Sequence, residues 1–285
     1  MTEVRRTRTR RGRPPRAVAP GRRAPPTAAR LLAFRVLSRV DRAGSYADLA
    51  LHAALRESSL GPLDRALATE LVYGTLRYRG RIDFLLGFVV DREFAKIEPR
   101  VVKLLRLGAY QVAFCDRIPV SAAVDQTVRC ARAVGAERAA GFINAVLRRL
   151  SGSLPQITLP SLEADPLGHL THALSLPPWL AMRLLERLGP DEAARLAEAL
   201  LQVPPVTVRA NPQRGSRDAL LAELRERHPQ ATATRLSPLG IRLGHAGDPG
   251  REPALREGRL TVQDEGSQLV VELLAPRAGE RPHPE

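Results

Sequence analysis

Residues 99–111 read Pro-Arg-Val-Val-Lys-Leu-Leu-Arg-Leu-Gly-Ala-Tyr-Gln and indicate a helical fold for the first half of the chain. Apolar side chains recur here at helical spacing, which predicts a helix over Pro99–Phe114 with one buried face. The pair Gly108-Ala109 lies on this helix and would let a second helix approach closely, because neither residue has a large side chain. The stretch therefore predicts a helix at the centre of a helical core.

The same period extends outward in both directions, from residue 28 to residue 150. Glycine and proline interrupt it at short intervals, including Gly44, Gly61-Pro62, Ile118-Pro119 and Gly135, and Ser121 is a candidate N-cap. No stretch alternates like a strand. About seven helices with short connections favour an all-α bundle. The predicted helices are Ala28–Asp41, Tyr46–Arg56, Leu63–Arg79, Ile82–Val90, Pro99–Phe114, one from Ser121 to Gly135, and Glu137–Leu150.

The pattern changes after residue 150. Residues 151–176 have no clear period and are predicted to be a linker. Residues 177–280 begin with helices that Gly189 and Pro204-Pro205 interrupt. They continue as a strand at 206–211, a helix at 217–227 capped by Ser216, short strands at 231–236, 240–243 and 260–263, and a helix at 265–274 capped by Asp264. This order predicts a small α+β sheet domain.

Charge and composition limit the function. The chain has 285 residues, a formal net charge of +14 and a pI near 11.2, which favours a polyanionic partner such as nucleic acid. An arginine-rich composition without a specific partner would give the same values. Residues 1–27 carry nine arginines and one acid, Glu3, and five prolines, so a disordered tail is expected. Its candidate RNA-binding residues are Arg5, Arg6, Arg8, Arg10 and Arg11, and a solvated leader is the alternative.

Other classes of site and compartment are disfavoured. Cys115 and Cys130 are not clustered with each other or with histidines, so neither a metal site nor a disulfide framework is expected. Both are interpreted as small core residues. The sequence contains no apolar run of about 18 residues and no secretory signal, which leaves the cytoplasm as the expected compartment and predicts no membrane contact.

Three stretches, in chain order, resemble parts of one family. Residues 99–111, Ile118-Pro119 and 141–148 (GFINAVLR) are similar to the NusB-like helical RNA-binding domain, with Asn144 at a structural position. Pro178-Trp179-Leu180 and 204–211 (PPVTVRAN) resemble the start of the small sheet domain of Sun-type methyltransferases. Residues 263–268 (QDEGSQ), followed by an L-L-x-P-x-x-G-E turn, resemble the segment before the cofactor-binding domain of Sun/NOL/NOP2-type, RsmB-like 16S rRNA cytosine-5 methyltransferases.

The resemblance implies a reaction that this chain does not complete by itself. In the family, a cysteine thiolate attacks C6 of cytosine, S-adenosylmethionine methylates C5, and a second cysteine assists release. The resemblance assigns these cysteines and the cofactor loop to an α/β domain after residue 280, whereas Arg281–Glu285 departs from the pattern. Truncation before the cofactor site is therefore expected, with no catalytic, cofactor or metal residue in this chain.

The remaining expectation is that this chain binds ribosomal RNA of the small ribosomal subunit. Arg209 and Asn211 are candidates because a guanidinium can bind phosphate and an amide can read a base edge. Arg129, Arg132, Arg148 and Arg149 could form a basic face on neighbouring helices. Structural roles for Arg209 and Asn211, and ordinary exposed arginines on the helices, are the alternatives. At the level of function, a NusB-like antitermination factor and an inactive remnant also stay open, and the oligomeric state is not predicted.

Overall fold

The computed structural model describes residues 26–244, 250, 252–276 and 279. The chain divides into two compact units, one ending at Leu201 and the other beginning at Gln202. The candidate arginines Arg5, Arg6, Arg8, Arg10 and Arg11 lie outside the described residues, as does the end of the chain at 281–285.

The first unit begins with seven α-helices, which confirms the predicted all-α bundle. They are α1 (Ala28–Ala43), α2 (Ala47–Arg56), α3 (Pro62–Arg77), α4 (Arg79–Gly87), α5 (Pro99–Phe114), α6 (Val120–Ala133) and α7 (Ala140–Ser153). Short 3₁₀ turns precede α5 at Phe94–Lys96 and α7 at Glu137–Ala139. Gly44 ends α1 with φ at 56°, a left-handed conformation that a glycine adopts without strain.

Helix α5 lies at the centre of this bundle, as its sequence predicts. Leu104, Leu105 and Leu107 are fully buried, and α5 contacts α1, α3, α4, α6 and α7. Gly108 faces α7 so closely that a Cβ atom placed on it would lie 2.5 Å from Cδ1 of Leu147. The close approach predicted from Gly108-Ala109 is therefore present, and its partner is α7.

The predicted cap of α6 is wrong. Pro119, not Ser121, occupies the N-cap position, and the helix begins at Val120. The fixed φ of proline sets Pro119 in an extended conformation (ψ 136°) from which the helix starts directly. Ser121 consequently lies inside the first turn.

Residues 154–201 complete the first unit. A 3₁₀ turn at Leu154–Gln156, a short helix α8 (Pro166–Gly168) and a π-helical turn at His169–Ala173 occupy the segment predicted as a linker. Leu170 is fully buried in a small apolar cluster with side chains of α9 (Pro178–Leu201). Gly189, with φ at 73°, breaks α9 directly before Pro190, as the sequence predicts. The boundary between units thus falls after α9.

The second unit is a four-stranded antiparallel sheet with helices, the predicted α+β domain. Its elements are β1 (Thr207–Ala210), α10 (Arg217–Arg227), β2 (Thr232–Ala233), β3 (Gly240–Arg242), α11 (Pro253–Arg256), β4 (Leu260–Val262) and α12 (Glu265–Leu274). The strand order is β2-β3-β1-β4. Val208 pairs with Ile241 and Val262, and Arg209 pairs with Gly240 and Thr261. The two predicted caps are present: Ser216 accepts from Ala219 N at 3.2 Å and Asp264 from Ser267 N at 2.7 Å.

Candidate nucleic-acid interface

Three arginines form a row on α1. Arg35, Arg39 and Arg42 are four and three residues apart, so they project from one side of the helix over about 10 Å of its length. All three are exposed, and no carboxylate pairs with any of them within residues 26–244 and 252–276. The opposite side of the helix carries Ala33, Val36 and Leu37 into the core. Burial of the apolar side therefore orients the cationic side outward.

The arginine row borders a cavity of about 490 Å³ between α1, the first turn of α5 and the end of α6. Its lining includes five cationic side chains, Arg35, Arg39, Arg42, Arg100 and Lys103, and no acidic one. Arg100 Nη1 donates to the carbonyl of Val134 at 2.7 Å, and Nε lies 3.3 Å from Glu98, so its position is fixed by α6 and α5. We call this cavity the basic cavity.

Two further cavities adjoin the basic cavity. One, of about 470 Å³, lies between α1 and α2 and shares Arg35 and Arg39 with it. The other, of about 500 Å³, shares Arg42, Arg100 and Lys103 and continues to the 3₁₀ turn before α5. The three cavities together form a groove along α1, called the α1 groove below.

The α1 arginines were not among the residues predicted from sequence. Their 4-and-3 spacing is visible in the sequence and predicts a shared helix side. Their convergence with Arg100 and Lys103 is not visible, because about 60 residues separate those side chains along the chain. Arginines at this spacing also occur on many helix surfaces that face only solvent. The surface of α1 differs from them because it borders the basic cavity, which no acidic side chain lines.

The arginines predicted on α6 and α7 have mixed surroundings. Arg129 Nε lies 2.7 Å from Asp125, and Arg149 Nη1 lies 3.3 Å from Asp91. Arg148 Nε donates to Asn144 Oδ1 at 3.1 Å, whereas Arg132 has no carboxylate partner in the described part of the chain. None of the four lines the α1 groove. A basic face formed by them stays a prediction, with two of its charges already partnered by carboxylates.

Asn211 and Arg209 lie at the end of β1 in the second unit. The Asn211 side chain accepts from Gln213 N at 3.1 Å and donates to the carbonyl of Gly258 at 2.9 Å, so both halves of the amide hold the domain together. Arg209 projects from the sheet face opposite the core and lines a cavity of about 340 Å³ with Thr261. RNA binding by this pair stays a prediction, for which Arg209 is the better placed residue.

Neither cysteine is suited to nucleophilic chemistry. Cys130 is fully buried on α6 and Cys115 is partly buried after α5. Burial is the main cause that raises the pKa of each thiol to about 11. Both are therefore protonated at neutral pH, whereas an attacking cysteine must be a thiolate.

Glu223 is the centre of an ion-pair network in the second unit. It accepts from Arg259 Nη2 at 3.0 Å and lies 3.5 Å from Arg227, and the hydrogen bond from Arg259 is the main cause that lowers its pKa to about 2. A depressed carboxyl pKa contributes stability above the ordinary value of 4.5, and this contribution is lost as pH falls toward 2. The pair is partly exposed, so its contribution is modest.

We expect Glu223→Gln to reduce the pH dependence of unfolding between pH 4.5 and 2, because the variant has no carboxylate to protonate. Urea unfolding at a series of pH values, followed by circular dichroism, measures the effect. The matched control is Glu226→Gln on the exposed side of the same helix, which should keep the wild-type slope. Equal slopes for wild type and Glu223→Gln would contradict the assignment.

Among the described residues, no helix has the length and apolar character that a membrane span requires, and no three His, Cys, Asp or Glu side chains are grouped to hold a metal ion.

Comparison with known proteins finds two domains in the chain. Residues 27–151 match the NusB family, and residues 176–248 match the Methyltr_RsmF/B-like, ferredoxin-like domain, so the second match already begins at α9, before the second unit starts at Gln202. The crystal structure of PH0851 superposes with a TM-score of 0.64 at 19% identity, covering 88% of this chain and 56% of that one. The chain is thus a NusB-type helical domain followed by an RsmF/B-type sheet domain.

Curated relatives define the family. A putative methyltransferase of Mycobacterium tuberculosis is 38% identical over 268 residues, 91% of this chain and 56% of the relative. A probable ribosomal RNA small subunit methyltransferase B of Synechocystis and a ribosomal RNA small subunit methyltransferase B of Pseudomonas putida are each 35% identical over 88% of this chain and 56% of the relative. The chain belongs to the Sun/RsmB family and spans about 56% of the length of these relatives.

The match over residues 176–248 also bears on the alternative function. A NusB-like antitermination factor requires only the helical bundle, and this chain carries an RsmF/B-type sheet domain after it. The domain order therefore favours the methyltransferase family.

Proposed function

We propose that this chain is the RNA-recognition part of a ribosomal RNA cytosine-5 methyltransferase, acting in the cytoplasm on RNA of the small ribosomal subunit. The α1 groove carries the proposal: five cationic side chains and no carboxylate line its basic cavity, and three of them, Arg35, Arg39 and Arg42, have no carboxylate partner in the described residues, whereas Arg100 and Lys103 pair with Glu98 and Asp41. Phosphate oxygens are the ligands that such a cluster prefers, and arginine forks bind them with two hydrogen bonds. Membership of the Sun/RsmB family indicates that the RNA is ribosomal RNA.

In this proposal, methyl transfer belongs to the part of the relatives outside the matched 56%. S-adenosylmethionine would supply the methyl group there. The described residues of this chain do not fit that chemistry, because the reaction needs a thiolate and burial holds both thiols in the protonated form. The contribution of this chain is to bind and position RNA.

The test is to replace Arg35, Arg39 and Arg42 together by Gln and to measure RNA affinity by fluorescence anisotropy at several salt concentrations. Removing three phosphate contacts should reduce the slope of log K against log salt by about 2 and the affinity by about tenfold or more at low salt. The variant should fold normally, because all three side chains are exposed and lack ion pairs within residues 26–244.

The matched control neutralises three exposed arginines of α9, Arg183, Arg187 and Arg195, in the same unit. It makes the same change in net charge and should keep most of the affinity and nearly the whole slope. Equal losses in the two triple variants would mean that overall charge, not the α1 groove, binds RNA.

A further inference from the structure

We infer that the end of the α1 groove nearest α5 binds an unstacked nucleobase of single-stranded RNA, and that Phe94 is the side chain on which the base stacks. The inference rests on the proposed function and adds what the groove recognises beyond phosphate. It is carried by a difference in chemistry between neighbouring cavities of the same groove.

The cavity at this end has a volume of about 500 Å³ and a mixed lining. Phe94 and Ile97 provide apolar surface, Arg42 and Arg79 are cationic, and the carboxylates of Asp41 and Glu98 are also present. The adjoining basic cavity has neither carboxylate. We call the cavity of about 500 Å³ with the mixed lining the Phe94 cavity.

A phosphate group is disfavoured in the Phe94 cavity, because it would approach two carboxylates. Four of the five cations that line this cavity are already paired with carboxylates: Lys103 and Arg79 with Asp41 at 2.9 and 3.5 Å, Arg100 with Glu98 at 3.3 Å, and Arg106 with Asp83 at 2.7 Å. A nucleobase is planar, neutral and polar at its edge, and its amino groups donate to carboxylates. The lining suits a base better than a second phosphate.

Phe94 is placed to provide the stacking surface. It begins the 3₁₀ turn Phe94–Lys96, is only partly buried, and is the one aromatic residue among those lining this cavity. No other described ring stacks on it, whereas Tyr78, Tyr110 and Phe114 stack on one another elsewhere in the bundle. Sequence-tolerant binding of single strands commonly uses a ring of this kind beside a cationic backbone track.

Connectivity between the cavities supports a nucleotide-sized ligand. Arg42 and Arg100 line both the basic cavity and the Phe94 cavity. A phosphate held at Arg42 would therefore leave its own sugar and base next to the Phe94 cavity. Single-stranded RNA can turn out a base in this way, whereas a base inside a duplex remains stacked on its neighbours.

The experiment compares a short single-stranded RNA with an abasic oligonucleotide of the same length and charge, using the full chain. Wild type should bind the base-bearing RNA about tenfold more tightly. Phe94→Leu, which keeps apolar packing but lacks a ring face, should lose this preference and keep its affinity for the abasic strand. Phe94→Tyr should retain the preference, as should the control Phe88→Leu, whose ring is exposed elsewhere on the same unit.

Thermal unfolding identifies a folding defect in Phe94→Leu. If that variant does not fold, NMR of wild type and Phe94→Tyr gives the answer: the ring-proton resonances of residue 94 should shift upfield on binding the base-bearing RNA and should not shift on binding the abasic strand. Retained base preference in a folded Phe94→Leu, no preference in wild type, or ring resonances that do not respond to the base-bearing RNA would each overturn the inference. If the proposed function itself is wrong, the result is different: the Arg35, Arg39 and Arg42 triple variant would then bind both oligonucleotides with the same affinity as wild type.

Discussion

Replacing Leu147 by Ala should lower the free energy of unfolding of the helical unit by about 2–5 kcal/mol. Leu147 is fully buried on α7 and packs against Gly108 of α5. The substitution removes apolar contacts and leaves a cavity in a well-packed core, and the two penalties add. Leu63→Ala is the matched control, because Leu63 is 87% exposed and its truncation should have little effect.

A double-mutant cycle makes the contact itself measurable. Gly108→Ala alone should destabilise the unit by about 1 kcal/mol, because the new Cβ would lie 2.5 Å from Leu147 Cδ1 and the higher helix propensity of alanine offsets part of that overpacking. In the Leu147→Ala background that atom is absent, so the same change should cost less. Urea unfolding of the four proteins gives the coupling free energy, and additive effects would show that α5 and α7 do not meet at this point.

Replacing Asp41 by Ala should lower the free energy of unfolding by about 3 kcal/mol, because it leaves the cation of Lys103 buried without its partner. Lys103 lies on α5 with a side chain only 8% exposed, and its Nζ is 2.9 Å from Asp41 Oδ2 on α1. The Asp41 side chain is more exposed, at 24%. We therefore expect a loss of unfolding free energy at the lower end of the range that is found when buried ion pairs are broken.

The double variant Asp41→Leu, Lys103→Met provides the control. Apolar residues of similar volume often replace a buried ion pair at little cost, so it should recover most of the stability lost in Asp41→Ala. Chemical unfolding of the three proteins measures this. A loss below about 0.5 kcal/mol in Asp41→Ala would show that solvent already screens the Lys103 cation.

Much of the fold could be predicted from residues that act locally. The apolar spacing of 99–114 predicted α5 with both of its ends, and Ser216 and Asp264 predicted the starts of α10 and α12. Helix periodicity and caps depend on residues within about four positions, so the sequence states them directly. Ser121 was the wrong choice for α6, because Pro119 already placed the preceding backbone in position to begin the helix.

The candidate site was predicted less completely. Net charge indicated a nucleic-acid partner, and the resemblance indicated an RNA-binding bundle, but the candidates chosen lay in the tail before residue 28, on α6 and α7, and at the end of β1. Four of the six candidates outside the tail already have a partner: Arg129 with Asp125, Arg148 with Asn144, Arg149 with Asp91, and Asn211 with the carbonyl of Gly258. Whether a charge is available depends on which carboxylates the fold brings beside it.

Local patterns in the sequence predicted the seven helices of the bundle, most elements of the sheet domain and the family, because periodicity, caps and motif order are local properties; they did not predict α8 or α11. Only tertiary packing shows where the positive charge gathers. Packing of α1 against α5 and α6 brings Arg35, Arg39 and Arg42 beside Arg100 and Lys103, whose carboxylate partners Glu98 and Asp41 do not line that cavity. The same packing sets Phe94 with Asp41 and Glu98 at the end of the groove. Electrostatic attraction depends on distance in space, and only the fold converts separation along the chain into that distance.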